Sequence, residues 1–349
     1  MIGLVFGGKT VEHDISIMSA INVAKGLLQL NFPSRYFYID SSGKWFEVDN
    51  LVDHKISESF QRKRPVVIDF SNFSEFDNID VFFPIVHGTT GEDGALQGLF
   101  ELIDKPYVGP GIKASAICMD KEFTKKLSEI IGIKVAKYIS IHKGEKLDIS
   151  QVEEKIGYPC FVKPASLGSS VGISKVKNEN ELLESLKTAY LVDDKILIEE
   201  ELIGHEVECA VIGYRKPQVS LPVRLIINHE YYSFDAKYND PNGAFLEIPY
   251  KADDALLKQI QEAARKIYVG LDCASLARID FFITEDEGIY LNEVNTLPGF
   301  RDISAFPQAW KATGVDLPSL LEILIVEAIL RFEEKKQISR TNLQTIKMC

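Results

Sequence analysis

The sequence predicts a protein that combines α/β and α+β architecture and begins with a doubly wound parallel sheet. A short apolar run, Ile2–Phe6, stops at two glycines and is typical of a buried first strand. The segment after Asp14 has helical periodicity, and further strands are predicted at Arg35–Ile39 and Val81–Val86. Strands that alternate with helices favour a parallel sheet over roughly the first hundred residues. The first helix is expected to place these apolar residues on one face: Ile17, Ile21, Ala24 and Leu28.

The remainder of the chain alternates shorter helical and strand-like segments, as α+β units do. Helices are predicted over Ile112–Ile130, from about Asn178 to Ala189, and from about Leu317. Strand-like runs include ILIEEEL, EVECAVIG, ARIDFFIT and IYLNEVN. The polar and aromatic stretch from Asn228 to Asn242 has no clean period, and long ordered loops of this kind are often lids.

Composition and charge exclude several classes of function. The chain has 349 residues and a formal net charge of −12, so nucleic acid and anionic membrane surfaces are poor partners. The start, MIGLVFGGKT, does not resemble a signal peptide, and no apolar window is long enough to span a bilayer. The five cysteines form no C-x-x-C pair, which favours reduced thiols over zinc or disulfides. We therefore expect a soluble, cytoplasmic protein.

The strongest chemical pattern lies on two neighbouring strands near the C-terminus. Residues two apart on a strand share a face, so Arg278 points with Asp280, and Glu293 points with Asn295. A turn centred between Asp286 and Glu287 would set Asp280 opposite Glu293. Two carboxylates and an amide on one patch suit Mg²⁺. The alternative is a solvated polar sheet face, and a slip of one residue would remove the pairing.

Two further segments indicate a nucleotide. In Lys163-Pro-Ala-Ser-Leu-Gly-Ser-Ser-Val-Gly172, a strand delivers a lysine to a loop of small residues whose N–H groups can bind phosphate. The loop is not a Walker A motif, because the lysine precedes the glycines. The acidic segment 198–202, followed by Glu206, can serve as a connector beside adenine and ribose. The alternatives are a small-residue turn and a solvated acidic linker.

Loops after the first strands offer candidate substrate contacts. The segment Gly7–Asp14 lies between a strand and a helix, where open α/β sheets bind ligands, but it lacks the dinucleotide fingerprint. Glu12 can receive an ammonium group, or it can serve the helix N-terminus together with Asp14. His87 opens the loop HGTTGEDG and is either a ligand contact or a structural histidine.

Two lysines remain as candidates for the phosphates. Lys121 lies on a predicted helix and is either a phosphate contact or a solvated lysine. Lys237 and Tyr238 are donors on the possible lid, and the alternative for them is a plain surface loop.

Taken together, these residues resemble the D-alanine–D-alanine ligase family of the ATP-grasp fold. The motifs that carry the resemblance follow family order from about residue 3 to 304: GGKTVEHDIS, HGTTGEDGALQG, PYVGPGIKASAICMDK, FVKPASLGSSVG, ARIDFF and LNEVNTLPGF. The resemblance implies an N-terminal α/β domain over 1–110, a central ATP-grasp subdomain over 111–202 and a C-terminal one over 203–349. ATP would be clamped between the latter two.

The resemblance also implies roles for individual residues at the nucleotide. Lys121 and Lys163 should hold ATP phosphates. Glu199 and Leu202 should lie at the adenine, and Glu206 at the ribose. Two Mg²⁺ ions, for which Mn²⁺ can substitute, should be bound by Asp280, Glu293 and Asn295.

On the amino-acid side, Glu12 should bind the ammonium of the first D-alanine, with His87 nearby. Glu12, Ser169 and Tyr238 should form a hydrogen-bonded group that links the domains. Arg278 and the N–H of Gly299 should form an oxyanion site. Ser304 should take the carboxylate of the second substrate, and Lys237 should reach the transferred phosphoryl group.

The function that the resemblance implies is ATP-dependent condensation of two D-alanines through an acyl phosphate, for peptidoglycan precursors, by a homodimer. Alternatives are D-Ala–D-Ser or D-Ala–D-lactate ligation, a non-catalytic ATP-binding sensor, and a dehydrogenase, which the missing fingerprint disfavours. Tyr238 favours D-alanine over D-lactate as the acceptor. Four residues after NTLPGF depart from the family pattern beside the second-substrate site: Arg301, Asp302, Ala305 and Phe306.

Overall fold

The computed structural model describes residues 1–52, 60, 63–228 and 243–338. These described residues form three sheets flanked by helices. The stretch expected to form a lid, with Lys237 and Tyr238, falls almost wholly in 229–242 and lies outside the described residues.

The first sheet has the strand order β4-β3-β2-β1-β5. Its centre is parallel, as predicted, because β1 pairs in parallel with both β2 and β5. Two short antiparallel strands, β3 and β4, extend the sheet beyond β2 and were not predicted, and they have little apolar periodicity from which to infer them. The strands are β1 Ile2–Gly7, β2 Ser34–Ile39, β3 Trp45–Val48, β4 Lys63–Pro65 and β5 Val81–Pro84.

Helices cover both faces of this sheet, which confirms the doubly wound prediction. Helix α1 (His13–Gln29) packs on the face of Leu4 and Phe6, whereas α2 (Ala95–Leu102) packs on the face of Val5. The alternation follows from the two-residue period of a strand.

The predicted face of α1 is wrong at one position. Leu28 is 61% exposed, and Leu27 is buried in its place. The cause is a second packing partner, because α1 lies against the last helix as well as against the sheet. A Cβ on Gly26 would stand 2.5 Å from Leu321 of that last helix, so the buried stripe turns toward it.

The second sheet is antiparallel, with the order β7-β10-β8-β9. Asn178 caps the predicted helix α6 by accepting the N–H of Glu181 at 3.0 Å. The elements of this unit are β7 Tyr138–His142, α5 Ile149–Lys155, β8 Cys160–Pro164, β9 Ser174–Val176, α6 Glu179–Ala189 and β10 Lys195–Glu200.

The third sheet has the order β14-β13-β11-β15-β16-β6, with β12 beside β11. Helix α7 (Asp254–Gly270) covers one face of it. Its strands are β6 Lys134–Val135, β11 Gly204–Gly213, β12 Gln218–Val219, β13 Val223–Ile227, β14 Ala244–Glu247, β15 Ser275–Thr284 and β16 Ile289–Asn295.

The single helix predicted over Ile112–Ile130 is wrong, since two helices occupy that segment. Helix α3 (Ile112–Met119) ends at Asp120, which is extended, and α4 (Lys121–Ile130) begins directly after it. The Asp120 carboxylate accepts the N–H groups of Glu122 and Phe123 at 3.0 and 3.1 Å. This cap starts a new helix and places Lys121 in its first turn.

The last two helices close a core shared by the first and third sheets. Helices α8 (Ala305–Ala312) and α9 (Leu317–Lys336) contribute buried side chains to the cluster that contains Leu4 and Leu276. Four cysteines are buried: Cys118, Cys160, Cys209 and Cys273. Across the described ranges, no helix has the length and apolarity needed to cross a bilayer.

Candidate active site

Three carboxylates form a row across neighbouring strands of the third sheet. Asp280 on β15 lies opposite Glu293 on β16, which confirms the predicted pairing, and opposite Glu208 on β11. The hairpin register shifts by one residue between Asp280 and Phe281. This β-bulge compensates for a turn centred on Asp286 rather than between Asp286 and Glu287, so the register at the carboxylates is the predicted one.

Arg278 neutralises part of this row. Its Nε and Nη2 donate to the two oxygens of Asp280 at 2.8 and 2.6 Å, and Nε lies 3.3 Å from Glu208. Desolvation opposes the charge of this partly buried guanidinium, but the carboxylates of Asp280 and Glu208 hold its pKa well above the usual value. The compensation explains how directly opposed carboxylates coexist on one sheet face.

The row has the donor chemistry of a divalent-cation site. Its oxygens are hard ligands, and Asn295 adds an amide whose Nδ2 donates to Asp280 at 2.9 Å. Within the ranges that the structure describes, no three His, Cys, Asp or Glu side chains already stand at the spacing of a metal site. A cation would therefore compete with Arg278 for the oxygens of Asp280. These residues can hold a metal ion only once Arg278 has released that carboxylate.

A cleft of about 400 Å³ opens between the second and third sheets on one side of the row. Its lining includes all five residues predicted for the nucleotide: Lys121, Lys163, Glu199, Leu202 and Glu206. Residues 201–203 connect β10 to β11 along its edge. The cleft joins the predicted phosphate contacts to the acidic connector, as a nucleotide site requires.

Glu199 is bound by two lysines at the bottom of the cleft. Lys163 Nζ donates to one carboxylate oxygen at 2.8 Å, and Lys125 Nζ lies 3.0 Å from the other. Burial opposes ionisation, but the two ammonium groups lower the pKa of Glu199 to about 2. Burial lowers the pKa of Lys125, which is 1% exposed. Glu199 thus directs its carboxylate at the lysines.

Lys121 links the cleft to the carboxylate row. Its Nζ donates to the carbonyl of Leu167 at 2.6 Å and lies 4.0 Å from Glu293. Its backbone N–H donates to the carbonyl of Ala165 at 2.9 Å. The first turn of α4 is therefore fixed to the small-residue loop after β8.

The small-residue loop also contacts the loop after β1. Ser169 Oγ donates to the carboxylate of Glu12, and both side chains are 9% exposed. Gly88, at φ +72°, faces the same carboxylate, and a Cβ there would stand 2.8 Å from Glu12. The structure thus brings Glu12 and Ser169 together, as expected, whereas the third member, Tyr238, lies outside the described residues.

A second cavity, of about 590 Å³, lies on the other side of the row. It shares Glu208, Arg278 and Glu293 with the cleft, so these side chains form a common wall. All described residues expected at the amino-acid substrates line it: Glu12, His87, Ser169, Arg278, Gly299 and Ser304. Asn295 lines this cavity rather than the cleft.

His87 joins the first sheet to the loop after β16. Its Nδ1 donates to the carbonyl of Leu297 at 2.8 Å, which leaves Nε2 to accept from Ser19 Oγ at 3.1 Å. Ser19 in turn accepts the N–H of Phe300 at 3.2 Å. Burial lowers the pKa of His87, so the ring is neutral. The histidine thereby orients the loop that carries Gly299.

Glu92 supports the same loop from the opposite side. Its carboxylate accepts the N–H groups of Gly88 at 2.7 Å and Leu297 at 2.9 Å. Burial, and then the charge of Glu12, raise the pKa of Glu92 to about 8. Two loops from distant parts of the chain are thus held by one buried carboxyl group.

Reasoning from sequence missed Glu208, Lys125 and Glu92. Glu208 had a usable signal, because it is the charged residue farthest into the apolar strand EVECAVIG, two positions after Glu206 and followed only by apolar residues and glycine. Lys125 sits one helical turn after Lys121, and the hydrophilic helix around it concealed its burial. Glu92 belonged to a motif that was noted only for its histidine.

A lysine-lined cleft between two α+β sheets, bounded by a carboxylate row and preceded by a doubly wound sheet, defines an ATP-grasp protein. Family models described as "D-ala D-ala ligase N-terminus" and "D-ala D-ala ligase C-terminus" match residues 1–110 and 127–326. The chain belongs to the D-alanine–D-alanine ligase family.

Individual relatives agree with this assignment. The D-alanine–D-alanine ligase of Proteus mirabilis is 41% identical, with 97% of this chain and 98% of that protein covered. The solved structure of the Coxiella burnetii D-alanine–D-alanine ligase gives a TM-score of 0.85 at 34% identity, covering 96% of this chain and 95% of that one. The Enterococcus faecalis VanG D-Ala:D-Ser ligase gives 0.85 at 33% identity, covering 94% and 98%.

Proposed function

We propose that this chain uses ATP to condense two D-alanines into D-alanyl-D-alanine. The observation that carries the proposal is the common wall of Glu208, Arg278 and Glu293 between a lysine-lined cleft and a second cavity. Such a wall allows phosphate from one side to meet a carboxylate from the other. The choice of D-alanine as the amino acid rests on the relatives, which are named as D-alanine–D-alanine ligases.

The reaction proceeds in two steps. The carboxylate of the first D-alanine attacks the γ-phosphorus of ATP, which forms an acyl phosphate and releases ADP. The amine of the second D-alanine then attacks the acyl carbon, loses a proton and expels phosphate. The cavity must exclude water during the second step, because water hydrolyses the acyl phosphate.

The cleft residues bind the nucleotide. Lys121 and Lys163 hold the phosphates, with Lys163 exchanging Glu199 for a phosphate oxygen. The segment from Glu199 to Leu202 borders the adenine, and Glu206 takes the ribose hydroxyls. The proposal is supported by the shared lining of these residues and by the lysines that already converge on Glu199.

Two Mg²⁺ ions, or Mn²⁺, are proposed at Asp280, Glu293 and Asn295. When bound, they would offset negative charge on the transferred phosphoryl group. Support comes from the opposed carboxylates on β15 and β16. The chain's own part is to hold these oxygens on neighbouring strands.

The second cavity binds the amino acids. Glu12 takes the first ammonium, supported by Ser169 and Tyr238, and His87 orients the surrounding loops. Arg278 and the Gly299 N–H stabilise the tetrahedral oxyanion. Ser304 takes the acceptor, and Lys237 reaches the phosphoryl group. The inward arrangement of the described members supports these roles.

The deciding experiment is release of phosphate from ATP as a function of D-alanine, with the product identified by mass. We expect phosphate only with D-alanine, and a product of two D-alanines joined by a peptide bond. ATP binding without D-alanine-dependent phosphate would instead identify a non-catalytic sensor.

A second candidate is a D-Ala–D-Ser ligase, which the fold similarity to the VanG D-Ala:D-Ser ligase favours. A mixture of D-alanine, D-serine and D-lactate would separate it from D-Ala–D-Ala and D-Ala–D-lactate ligation by product mass. We further propose a cytoplasmic homodimer that serves cell-wall synthesis, divided into domains at 1–110, 111–202 and 203–349.

A further inference from the structure

Arg301 is the first residue after NTLPGF and departs from the family pattern, and the proposed reaction gives it no role. It lies in the loop between β16 and α8, where it lines the second cavity together with Gly299 and Ser304. Its Nε atom is buried. The guanidinium therefore belongs to the wall of the acceptor end rather than to the outer surface.

A tight turn presents Arg301 and Ser304 side by side. The N–H of Ser304 donates to the carbonyl of Arg301 at 2.9 Å, and the N–H of Arg301 donates to Ser304 Oγ at 3.1 Å. The two residues between them, Asp302 and Ile303, are exposed. This double contact fixes a cation and a hydroxyl at neighbouring positions on the cavity wall.

The charges around the second cavity determine which ligand groups Arg301 can bind there. Its lining carries the carboxylates of Glu12, Glu208 and Glu293, which repel a second carboxylate. The other lining arginine, Arg278, already neutralises Asp280 and Glu208. Arg301 is close enough to His87 that its charge contributes to lowering the pKa of that ring. An acceptor that enters this cavity thus meets a positive group beside Ser304.

We propose that the guanidinium of Arg301 binds the carboxylate of the acceptor amino acid, together with the hydroxyl of Ser304. Arginine suits this role because its planar donors match a carboxylate in a two-point contact. Arg301 is then a binding residue that selects acceptors with a free carboxylate over amides and esters. The inference rests on the proposed function and deepens it at the acceptor site.

The test compares D-alanine with D-alaninamide as the second substrate, with products separated by mass. The wild-type protein should prefer D-alanine, and Arg301→Met should raise the KM for the D-alanine acceptor by about 10–100-fold with little change in kcat. The preference for D-alanine over D-alaninamide should fall by a similar factor. D-alaninamide has no carboxylate for Arg301 to bind, so removing the guanidinium weakens only the binding of D-alanine. Arg301→Lys should retain part of the preference.

Asp302→Asn is the matched control, since it removes an exposed charge one residue away. It should leave the KM for D-alanine and the preference over D-alaninamide unchanged. Equal use of D-alanine and D-alaninamide by the wild-type protein would overturn the proposal without any variant. An unchanged preference in Arg301→Met would overturn it as well. Failure of the proposed function looks different, because the wild-type protein would then release no phosphate with D-alanine.

Discussion

Glu199 and Glu92 are both buried, at 3% and 9% exposure, yet their pKa values are shifted in opposite directions. In the cleft, two lysines lower the pKa of Glu199 to about 2. In the second cavity, Glu92 receives two backbone N–H groups, and burial raises its pKa to about 8. Neutral amides therefore do not offset the desolvation of a carboxylate, whereas two full positive charges do.

The difference matches what each region is proposed to receive. A triphosphate can displace Glu199 from Lys163, because Lys125 still compensates the carboxylate from its other side. The second cavity instead places the carboxyl group of Glu92 near Glu12, where an ammonium group is expected. The cleft thus provides cations for an anionic ligand, whereas the second cavity provides carboxyl groups, of which Glu92 is protonated below about pH 8.

Glu199→Gln should have the largest effect, because it leaves two buried lysines without their counter-charge. We expect the free energy of unfolding to fall by about 3–5 kcal/mol, measured by urea denaturation. The double variant Lys125→Met with Glu199→Gln should recover part of this loss, since it removes one of the uncompensated cations. A double variant less stable than Glu199→Gln alone would contradict the pairing.

Arg278→Ala tests the wall that separates the two regions. We expect D-alanine-dependent phosphate release to slow by about 10²–10³, as when one oxyanion donor is lost. Arg278→Lys should lie between this variant and the wild type, because it keeps the charge but not the two-point contact with Asp280. A near-normal turnover number in Arg278→Ala would remove the proposed role.

Glu92→Gln tests the raised pKa through the pH dependence of stability. Between the ordinary carboxyl pKa of 4.5 and the folded value of about 8, the folded protein binds a proton that the unfolded chain does not. That contribution to stability is complete below pH 4.5 and is lost as the pH rises through 8. The wild-type free energy of unfolding should therefore fall relative to the variant by on the order of 1 kcal/mol per pH unit. Parallel pH profiles would show that Glu92 is ionised throughout.

Lys113→Ala should have the smallest effect on the free energy of unfolding, and it serves as the exposed reference for the buried pair at Glu199. Lys113 and Asp272 form a close ion pair at 2.6 Å, but their side chains are 70% and 69% exposed. Water and salt screen such a pair, so we expect a change below about 1 kcal/mol in urea denaturation. A loss as large as that of Glu199→Gln would show that burial is not what separates the two cases.

The sequence predicted the structure best where the two-residue period of a strand and the position of one turn determine which side chains face each other. The opposition of Asp280 and Glu293 followed from strand alternation, and it survived an incorrect turn centre because the bulge absorbed one residue. The face of α1 could not be obtained in this way, because it depends on Leu321, a partner distant in the chain. The break at Asp120 had a local signal, an aspartate that caps α4, and the prediction of one continuous helix overlooked it.

The charge compensation was the least predictable feature. Lys125 and Glu199 are 74 positions apart by their numbers, and their pairing requires that α4 and β10 already be in place. Glu92 likewise acquires its raised pKa only when the loop with Leu297 closes over it. Local patterns show which residues carry charge, but tertiary packing decides which of them stay charged.

The position of α9 has a consequence for how the protein is made. The first sheet buries Leu4 and Phe6 in a cluster that also needs Leu320 and Leu324 near the other end of the chain. A ribosome adds about 5–20 residues per second, so roughly 15–60 seconds separate the synthesis of α1 from that of α9. During that interval the nascent chain carries an apolar face of α1 that α9 does not yet cover.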